Sequence, residues 1–341
     1  MFGTSGVRGE VGTDVTADLA LAVGQAVASR GADRVVVGRD ARESGALLAD
    51  AVSAGLRQCG ADAVRVGRAT TPTVARGVEW TNADAGVMVT ASHNPPADNG
   101  LKLWSATGAA FGAAERAEIT RIVEDEDYER QGWQSLGGED RASLAERHRA
   151  ALGAAVSLAR PLEVVVDAGN GPGALTAAAL DDLGCSVRTL NGQPDGSFPG
   201  RPSEPTRENC EALQRLVAAT DADLGVAHDG DADRMMAVTE AGEFVDGDTL
   251  LALFGRAAAS AGDRVAAPLN TSLAVDDALG EVGATVTRTR VGDAFVAERA
   301  TEPDVVFGGE PSGAWIWPDE TPCPDGPLDR KSTRLNSSHN R

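Results

Sequence analysis

The sequence predicts an α/β fold built as three successive domains, each a mostly parallel sheet with flanking helices. Three observations carry this reading. Short apolar runs alternate with longer runs of helical period, the pattern of parallel strands joined by crossover helices. The alternation breaks at a polar, charged stretch and then starts afresh. The loops of unusual chemistry each follow a predicted strand, where open α/β sheets hold their ligands.

The first domain is assigned residues 1–150. A helix is expected over Ala17–Ala28, capped by Thr16 and closed by Gly31. A threonine hydroxyl accepts a free first-turn N–H, and glycine tolerates the left-handed exit. A strand follows at Arg34–Val37, then a helix from Ser44 to Cys59 that stops at Gly60, then a strand at Ala63–Val66. The next helix starts near Thr71 and Pro72, since proline suits the first turn. A strand at Gly86–Thr90 runs directly into Ala91-Ser92-His93-Asn94-Pro95-Pro96. The stretch Glu139–Ala150 reads as a helix leading to a boundary.

The second domain, 151–250, opens with a strand at Leu162–Val166. Strands at Asp223–Ala227 and Met235–Thr239 flank the loop Asp229–Asp233. A helix over Asp248–Ala261 leads to the third domain, 251–328. That domain carries a strand at Val265–Leu269, a helix from Ser272, a strand at Val286–Arg290, a helix from Asp293 and a strand at Val305–Phe307.

Composition narrows the function classes. The 341 residues hold 31 Lys+Arg against 51 Asp+Glu, a net charge of −20. So negative a chain is not expected to bind nucleic acid or anionic membrane. It has neither a membrane-length apolar stretch nor a basic-then-apolar leader, so a cytoplasmic protein is expected. Cys59, Cys185, Cys210 and Cys323 are scattered without a C-x-x-C pair, which predicts reduced thiols. Only Lys102 and Lys331 are lysine; the other basic residues are arginine. An acidic, lysine-poor surface fits a salt-loving cytosol, and GC-rich coding accounts for part of the same bias.

Four loops carry candidate chemistry. Ser92, stiffened by Pro95 and Pro96, is read as an exposed hydroxyl suited to a nucleophile or phosphate carrier. A capping serine in a proline-rich turn would look the same. The glycines of a nucleophile elbow are missing, which argues against acyl transfer. Asp229, Asp231 and Asp233 place three carboxylates at alternate positions, a crowding that calls for a hard cation such as Mg²⁺ or Ca²⁺. A solvated acidic turn is the alternative. Arg234 stands where an EF-hand needs its turn glycine, and offers a fork for a phosphate beside the metal. Glu310 and Ser312, among glycines, suit adjacent sugar hydroxyls, although many loops look alike. The segment Gly3–Gly9, with Arg8, could reach a phosphate. The glycines of Asp167–Gly173 are spaced G-x-G-x-G with Pro172 intruding, which excludes a dinucleotide fingerprint. Lys102 is the lone lysine before residue 329; an ammonium can cycle as acid and base where arginine cannot. Chance survival of one lysine is the alternative.

Taken together and in this order, segments 2–9, 90–96, 228–234 and 308–313 resemble the α-D-phosphohexomutase superfamily, over Met1–Leu328. The resemblance implies four domains around a cleft, the first three sharing one α/β topology; here the third is expected to be incomplete and the fourth missing. It implies that Ser92 is a phosphoserine that donates and recovers a phosphoryl group. It implies that Asp229, Asp231 and Asp233 bind Mg²⁺ together with a phosphate oxygen on Ser92. Lys102, with Arg8 and His93, becomes the acid/base and phosphate-stabilising set, Arg234 supports the metal loop, and Glu310 and Ser312 take sugar hydroxyls. The implied reaction moves phosphate between O6 and O1 of a hexose through a hexose 1,6-bisphosphate, which also acts as activator.

The segment Arg288–Asp293 resembles the corresponding loop of phosphoglucosamine mutases, and Pro311 resembles archaeal members. A glucosamine phosphate is therefore the expected small-molecule partner, with mannose and glucose phosphates as alternatives. A non-catalytic sugar-phosphate or metal binder is the rival class.

Residues 329–341 do not fit the rest. Arg330, Lys331, Arg334 and Arg341 against Asp329 give them a net charge of +3. From Asp329 to His339 they match the translation of a common short-read sequencing adapter. They are expected to be foreign, with the natural chain continuing past Leu328 and the truncated enzyme turning over poorly.

Overall fold

The computed structural model describes Gly3 and residues 6–328; Thr4 and Ser5 of the first glycine-rich segment, and the expected foreign tail, lie outside the described residues. The first unit runs β1 (Val7–Glu10), α1 (Ala17–Ser29), β2 (Arg34–Arg39), α2 (Gly45–Gln58), β3 (Asp62–Arg68), α3 (Thr71–Trp80), β4 (Ala85–Val89), β5 (Asp98–Ser105), α4 (Ala113–Glu124), β6 (Glu139–Arg141) and α5 (Ala145–Ala155). Thr16 caps α1 through its side chain, accepting the N–H of Leu19 at 3.1 Å, and Gly31 exits at φ 100°. Thr70 caps α3 in the same way, with proline in the first turn. Helices α1 and α2 touch backbone to backbone: a β-carbon on Gly24 would lie 2.3 Å from the Val52 carbonyl oxygen.

Among the described residues the strands form three sheets. The first has the order β1-β5-β4-β2-β3-β6, with β2, β3, β4 and β6 parallel and β5 antiparallel to both β1 and β4. Strands β1 and β5 escape sequence reading because glycine, asparagine and charged residues interrupt their apolar pattern. The stretch expected as one helix over Glu139–Ala150 is instead strand β6, a turn and α5, which reaches Ala155. All three residues of β6 are exposed at a sheet edge, so no apolar alternation marks it.

The second unit comprises β7 (Glu163–Asp167), α6 (Ala174–Asp182), β8 (Ser186–Leu190), α7 (Glu211–Ala218), β9 (Leu224–His228), β10 (Met235–Thr239) and α8 (Gly247–Ala258). Its sheet order is β10-β9-β7-β8. The third comprises β11 (Arg264–Pro268), α9 (Leu273–Gly280), β12 (Thr285–Thr289), α10 (Asp293–Ala300), β13 (Val305–Glu310) and β14 (Ala314–Ile316), in the order β12-β11-β13-β14. Glu310 is the last residue of β13, not part of the loop after it, because β13 is extended by pairing with β14.

The units interlock. The β13–β14 turn docks on the start of β10: Met235 N–H donates to the Gly313 carbonyl at 2.9 Å, and Trp315 Nε1 to the Met235 carbonyl at 2.8 Å. Residues 317–328 then return to the first unit. Cys323 joins a core with Val36, Val74, Met88 and Trp104. Asp325, fully buried, accepts from Arg76 Nε at 2.7 Å and lies 3.1 Å from His148 Nε2.

Burial alone would raise Asp325, but His148 and Arg76 outweigh it and hold its carboxyl at about 2. The folded value lies below the unfolded one, so the linked stability is present above pH 4 and lost as pH falls towards 2, about 2 kcal/mol in all. Asp325→Ala leaves the Arg76 charge buried and unpaired, so urea unfolding at pH 7 is expected to show a loss of about 3–5 kcal/mol. The gap to the unsubstituted protein should narrow below pH 4.

Candidate active site

Strand β4 delivers Ser92 to the carboxyl edge of the first sheet. The sequence predicts an exposed hydroxyl; in the structure Ser92 is only 1% exposed, because the second unit covers it. Its backbone is left-handed, at φ 52°. Thr90 Oγ1 accepts the Ser92 N–H at 2.8 Å and donates to Asp40 Oδ2 at 2.7 Å. Asp40 pairs with Arg42 at 3.1 Å, and neither side chain is exposed. Burial pushes Asp40 up to about 6 against the pull of Arg42. Arg42 donates to the carbonyls of Ser92 (2.9 Å), Asn94 (2.7 Å), Pro95 (2.5 Å) and Asp98 (2.8 Å). Sequence reasoning missed both residues. Their signal was position: they directly follow β2, at the same sheet edge as Ser92.

Strand β9 delivers the acidic loop to the same place. Ser92 Oγ donates to Asp229 Oδ2 at 2.6 Å. Thr71 Oγ1 donates to Asp231 Oδ2 at 2.6 Å, binding the start of α3 to the loop. Lys102, on β5, donates to Asp231 at 2.9 Å and also pairs closely with Asp233. In this geometry the ammonium is the counter-ion of the loop, and Asp231 and Asp233 outweigh burial to keep it charged. The glycines of Asp167–Gly173 serve packing: β-carbons on Gly169 and Gly171 would lie 2.9 Å from the His228 carbonyl oxygen and 2.6 Å from that of Gly230.

The donor set fits a divalent cation. Asp229, Asp231 and Asp233 are buried and offer oxygens within 4.8 Å of one another. Asp231 Oδ1 and Asp233 Oδ1 are buried without a hydrogen-bond partner. Burial and the two neighbouring carboxylates push Asp229 well above the ordinary range. Burial acts the same way on Asp231, but Lys102 and the Thr71 hydroxyl overcome it and keep that group ionised. One ammonium therefore does not neutralise three carboxylates, and hard oxygen ligands in this state suit a small hard ion.

The other expected site residues line the same region with different closeness. Arg8, on β1, has a buried Nε without a partner, an N–H that suits an anion, and His93 has a buried Nδ1 without one. Burial, then Arg234 and Arg8, hold His93 down to about 3, so its ring is neutral at pH 7. Arg234 N–H donates to Asp229 Oδ1 at 3.2 Å, while its guanidinium lies 3.5 Å from Glu204. Glu310 accepts the Gly292 N–H at 2.7 Å and the Ser312 hydroxyl at 3.3 Å. Burial, and next the charge of Asp293, raise it. Ser92, the three aspartates and Lys102 thus form one hydrogen-bonded cluster, and Glu310 with Ser312 a second, at the third unit's edge.

Comparison with known proteins also divides the chain in three, with α5 assigned to the second domain and α8 to the third. The chain matches the family models "Phosphoglucomutase/phosphomannomutase, alpha/beta/alpha domain I" over 1–130, domain II over 145–242 and domain III over 246–329. It is 46% identical over 330 residues to a Methanosarcina acetivorans protein named "Probable phosphoglucosamine mutase", covering 96% of this chain and 74% of that one. A protein of the same name from Methanothermobacter thermautotrophicus is 44% identical over 331 residues, covering 96% and 73%. Among solved structures, a phosphoglucomutase/phosphomannomutase family protein from Burkholderia thailandensis superposes with a TM-score of 0.88 at 30% identity, covering 98% of this chain and 76% of that one.

Proposed function

The chain belongs to the phosphoglucomutase/phosphomannomutase family of the α-D-phosphohexomutases, and on that premise we propose that it isomerises glucosamine phosphate, moving phosphate between O6 and O1 by way of phosphorylated Ser92. The observation that carries the reading is the 2.6 Å contact of Ser92 Oγ with Asp229, on a buried floor shared by two domains.

Phosphoryl transfer needs positioning and charge neutralisation above all. Mg²⁺ held by Asp229, Asp231 and Asp233 would neutralise charge on the transferring group. Ser92 gives its phosphoryl group to a sugar hydroxyl: the bond from phosphorus to Oγ breaks as the bond to the sugar oxygen forms. The hydroxyl proton passes to a neighbouring base, for which the neutral His93 ring is the candidate, while Lys102, held charged by Asp231 and Asp233, acts on the phosphoryl group as an ammonium and proton donor. Arg8 and Arg234 hold phosphate oxygens, and Glu310 with Ser312 orient the sugar. The hexose 1,6-bisphosphate so formed turns over and returns its other phosphate to Ser92 Oγ. The names of the archaeal relatives and the loop at Arg288–Asp293 favour glucosamine.

A phosphosugar would be the partner, and the cytoplasm the compartment. Among the described residues the four cysteines are buried and unpaired, as a reducing compartment keeps them, and no helix is long and apolar enough to cross a membrane.

Incubation with glucose 1,6-bisphosphate and Mg²⁺, followed by mass spectrometry of the Ser92 peptide, should show one added phosphate. No phosphate on Ser92 would favour a binding protein instead. A coupled assay of the completed gene product on glucosamine, mannose and glucose 6-phosphates should rank glucosamine first.

A further inference from the structure

The peptide of Ser92 is held at each polar point. Its N–H goes to Thr90 Oγ1, itself anchored on Asp40. Its carbonyl accepts two bonds from two different domains: Arg42 Nη2 at 2.9 Å from the first and Ser203 Oγ at 2.9 Å from the second. Two donors fill both lone pairs of a carbonyl oxygen. The residue they hold sits at φ 52°, a conformation that a side chain with a β-carbon keeps only where its surroundings impose it.

Arg42 has no exposed surface, so it is not placed to meet a ligand from solvent. Its fork instead spans the carbonyls of residues 92, 94, 95 and 98, which fixes the whole turn. The second domain closes over it. The Phe198 ring lies 5.0 Å from the guanidinium carbon, and a β-carbon on Gly196 would lie 2.5 Å from the Arg42 Cα. A β-carbon on Gly230 would come within 2.6 Å of the Ser92 carbonyl oxygen. Ser203 is itself set by Arg201, which donates to its carbonyl at 3.2 Å and to the His228 carbonyl at 2.5 Å, and pairs with Asp167 at 2.7 Å. One run of contacts therefore links the root of the acidic loop to the Ser92 peptide.

We propose that Arg42 and Ser203 are positioning residues that clamp the Ser92 carbonyl from two domains, so that its hydroxyl faces Asp229 only while those domains are docked. The consequence for catalysis rests on Ser92 being the phosphoryl carrier; the clamp itself is a conformational property and can be read without substrate.

Ser203→Ala removes one hydroxyl at little risk to folding, and Arg42→Lys keeps the charge but loses the fork. Hydrogen exchange at residues 90–96, without ligand, should quicken about tenfold in Ser203→Ala while the rest of the first domain is unchanged. Single-turnover phosphate uptake from glucose 1,6-bisphosphate with Mg²⁺ should slow at saturation about tenfold in Ser203→Ala and about 100-fold in Arg42→Lys. The half-saturating concentration should stay within about twofold, since neither residue meets the sugar. A merely structural role would lower the melting temperature and leave the saturating rate of folded protein unchanged. In folded Ser203→Ala, either an unchanged exchange rate or an unchanged saturating rate overturns the clamp. If the unsubstituted protein takes no phosphate on Ser92, the functional reading fails instead, and the exchange measurement alone decides the clamp. Should Arg42→Lys fail to fold, Ser203→Ala carries both measurements.

Discussion

Ser92→Ala is expected to abolish phosphate uptake and to lower mutase turnover by about 10⁴-fold or more, because no neighbouring hydroxyl can take its place as covalent carrier. Thr71, whose hydroxyl also faces the acidic loop, is committed to Asp231 at 2.6 Å. The fold should survive. Alanine meets the same left-handed backbone that serine does, so no new strain is added. The lost contact to Asp229 costs about 1 kcal/mol, the usual net worth of one hydrogen bond. Circular dichroism and thermal unfolding should therefore look native while the mass-spectrometric phosphate signal vanishes. More than a hundredth of the original turnover, in protein purified free of the unsubstituted enzyme, would refute the assignment.

The second large effect is one of stability. Lys102→Met removes the ammonium that pairs with Asp231 and Asp233. Three buried carboxylates then keep only Arg234 as a cationic neighbour, and with chelator present the variant should lose about 3–5 kcal/mol. Saturating Mg²⁺ should recover a large part of that loss, because a divalent ion neutralises the same oxygens and binds only the folded loop. Lower pH should recover part of it too, because Asp229 and Asp233, both raised by burial and by Asp231, accept protons in place of the ammonium. The comparison is urea unfolding of both proteins with EDTA and with Mg²⁺. An equal deficit in both conditions would mean that lysine and metal do not share ligands. Turnover should fall by about 10²-fold or more, because the transferring phosphoryl group loses its nearest ammonium.

The alternation of strands and helices, and the loops that follow β4 and β9, were legible in the sequence because both obey strong local rules, although α4, α6, β8 and α7 were not read. Thr16 announces its helix through a side-chain cap and Pro72 the start of another, and the acidic loop announces itself through three carboxylates at alternate positions followed directly by Arg234. What escaped was set by tertiary contact. Strand β1 exists because β5 pairs with it, and β6 because β3 does. Asp40 and Arg42 look like two surface charges in a turn; only the arrival of the Ser92 loop makes them a buried pair. Arg201 and Ser203 lie in a long irregular connection with no period to mark them. The burial of Ser92 was missed for the same reason, since the surface that covers it comes from residues more than a hundred positions away.

The return of residues 317–328 bears on how the chain is made. The layer of the first domain beneath Val36, Val74 and Met88 includes Cys323, and the Arg76–His148 pocket is filled by Asp325. A ribosome synthesises the first domain long before either residue emerges. Until then that domain carries an open apolar seam and two cationic or ring groups awaiting a carboxylate. Its completion waits for the third domain, so this seam stays uncovered while the second domain is being made.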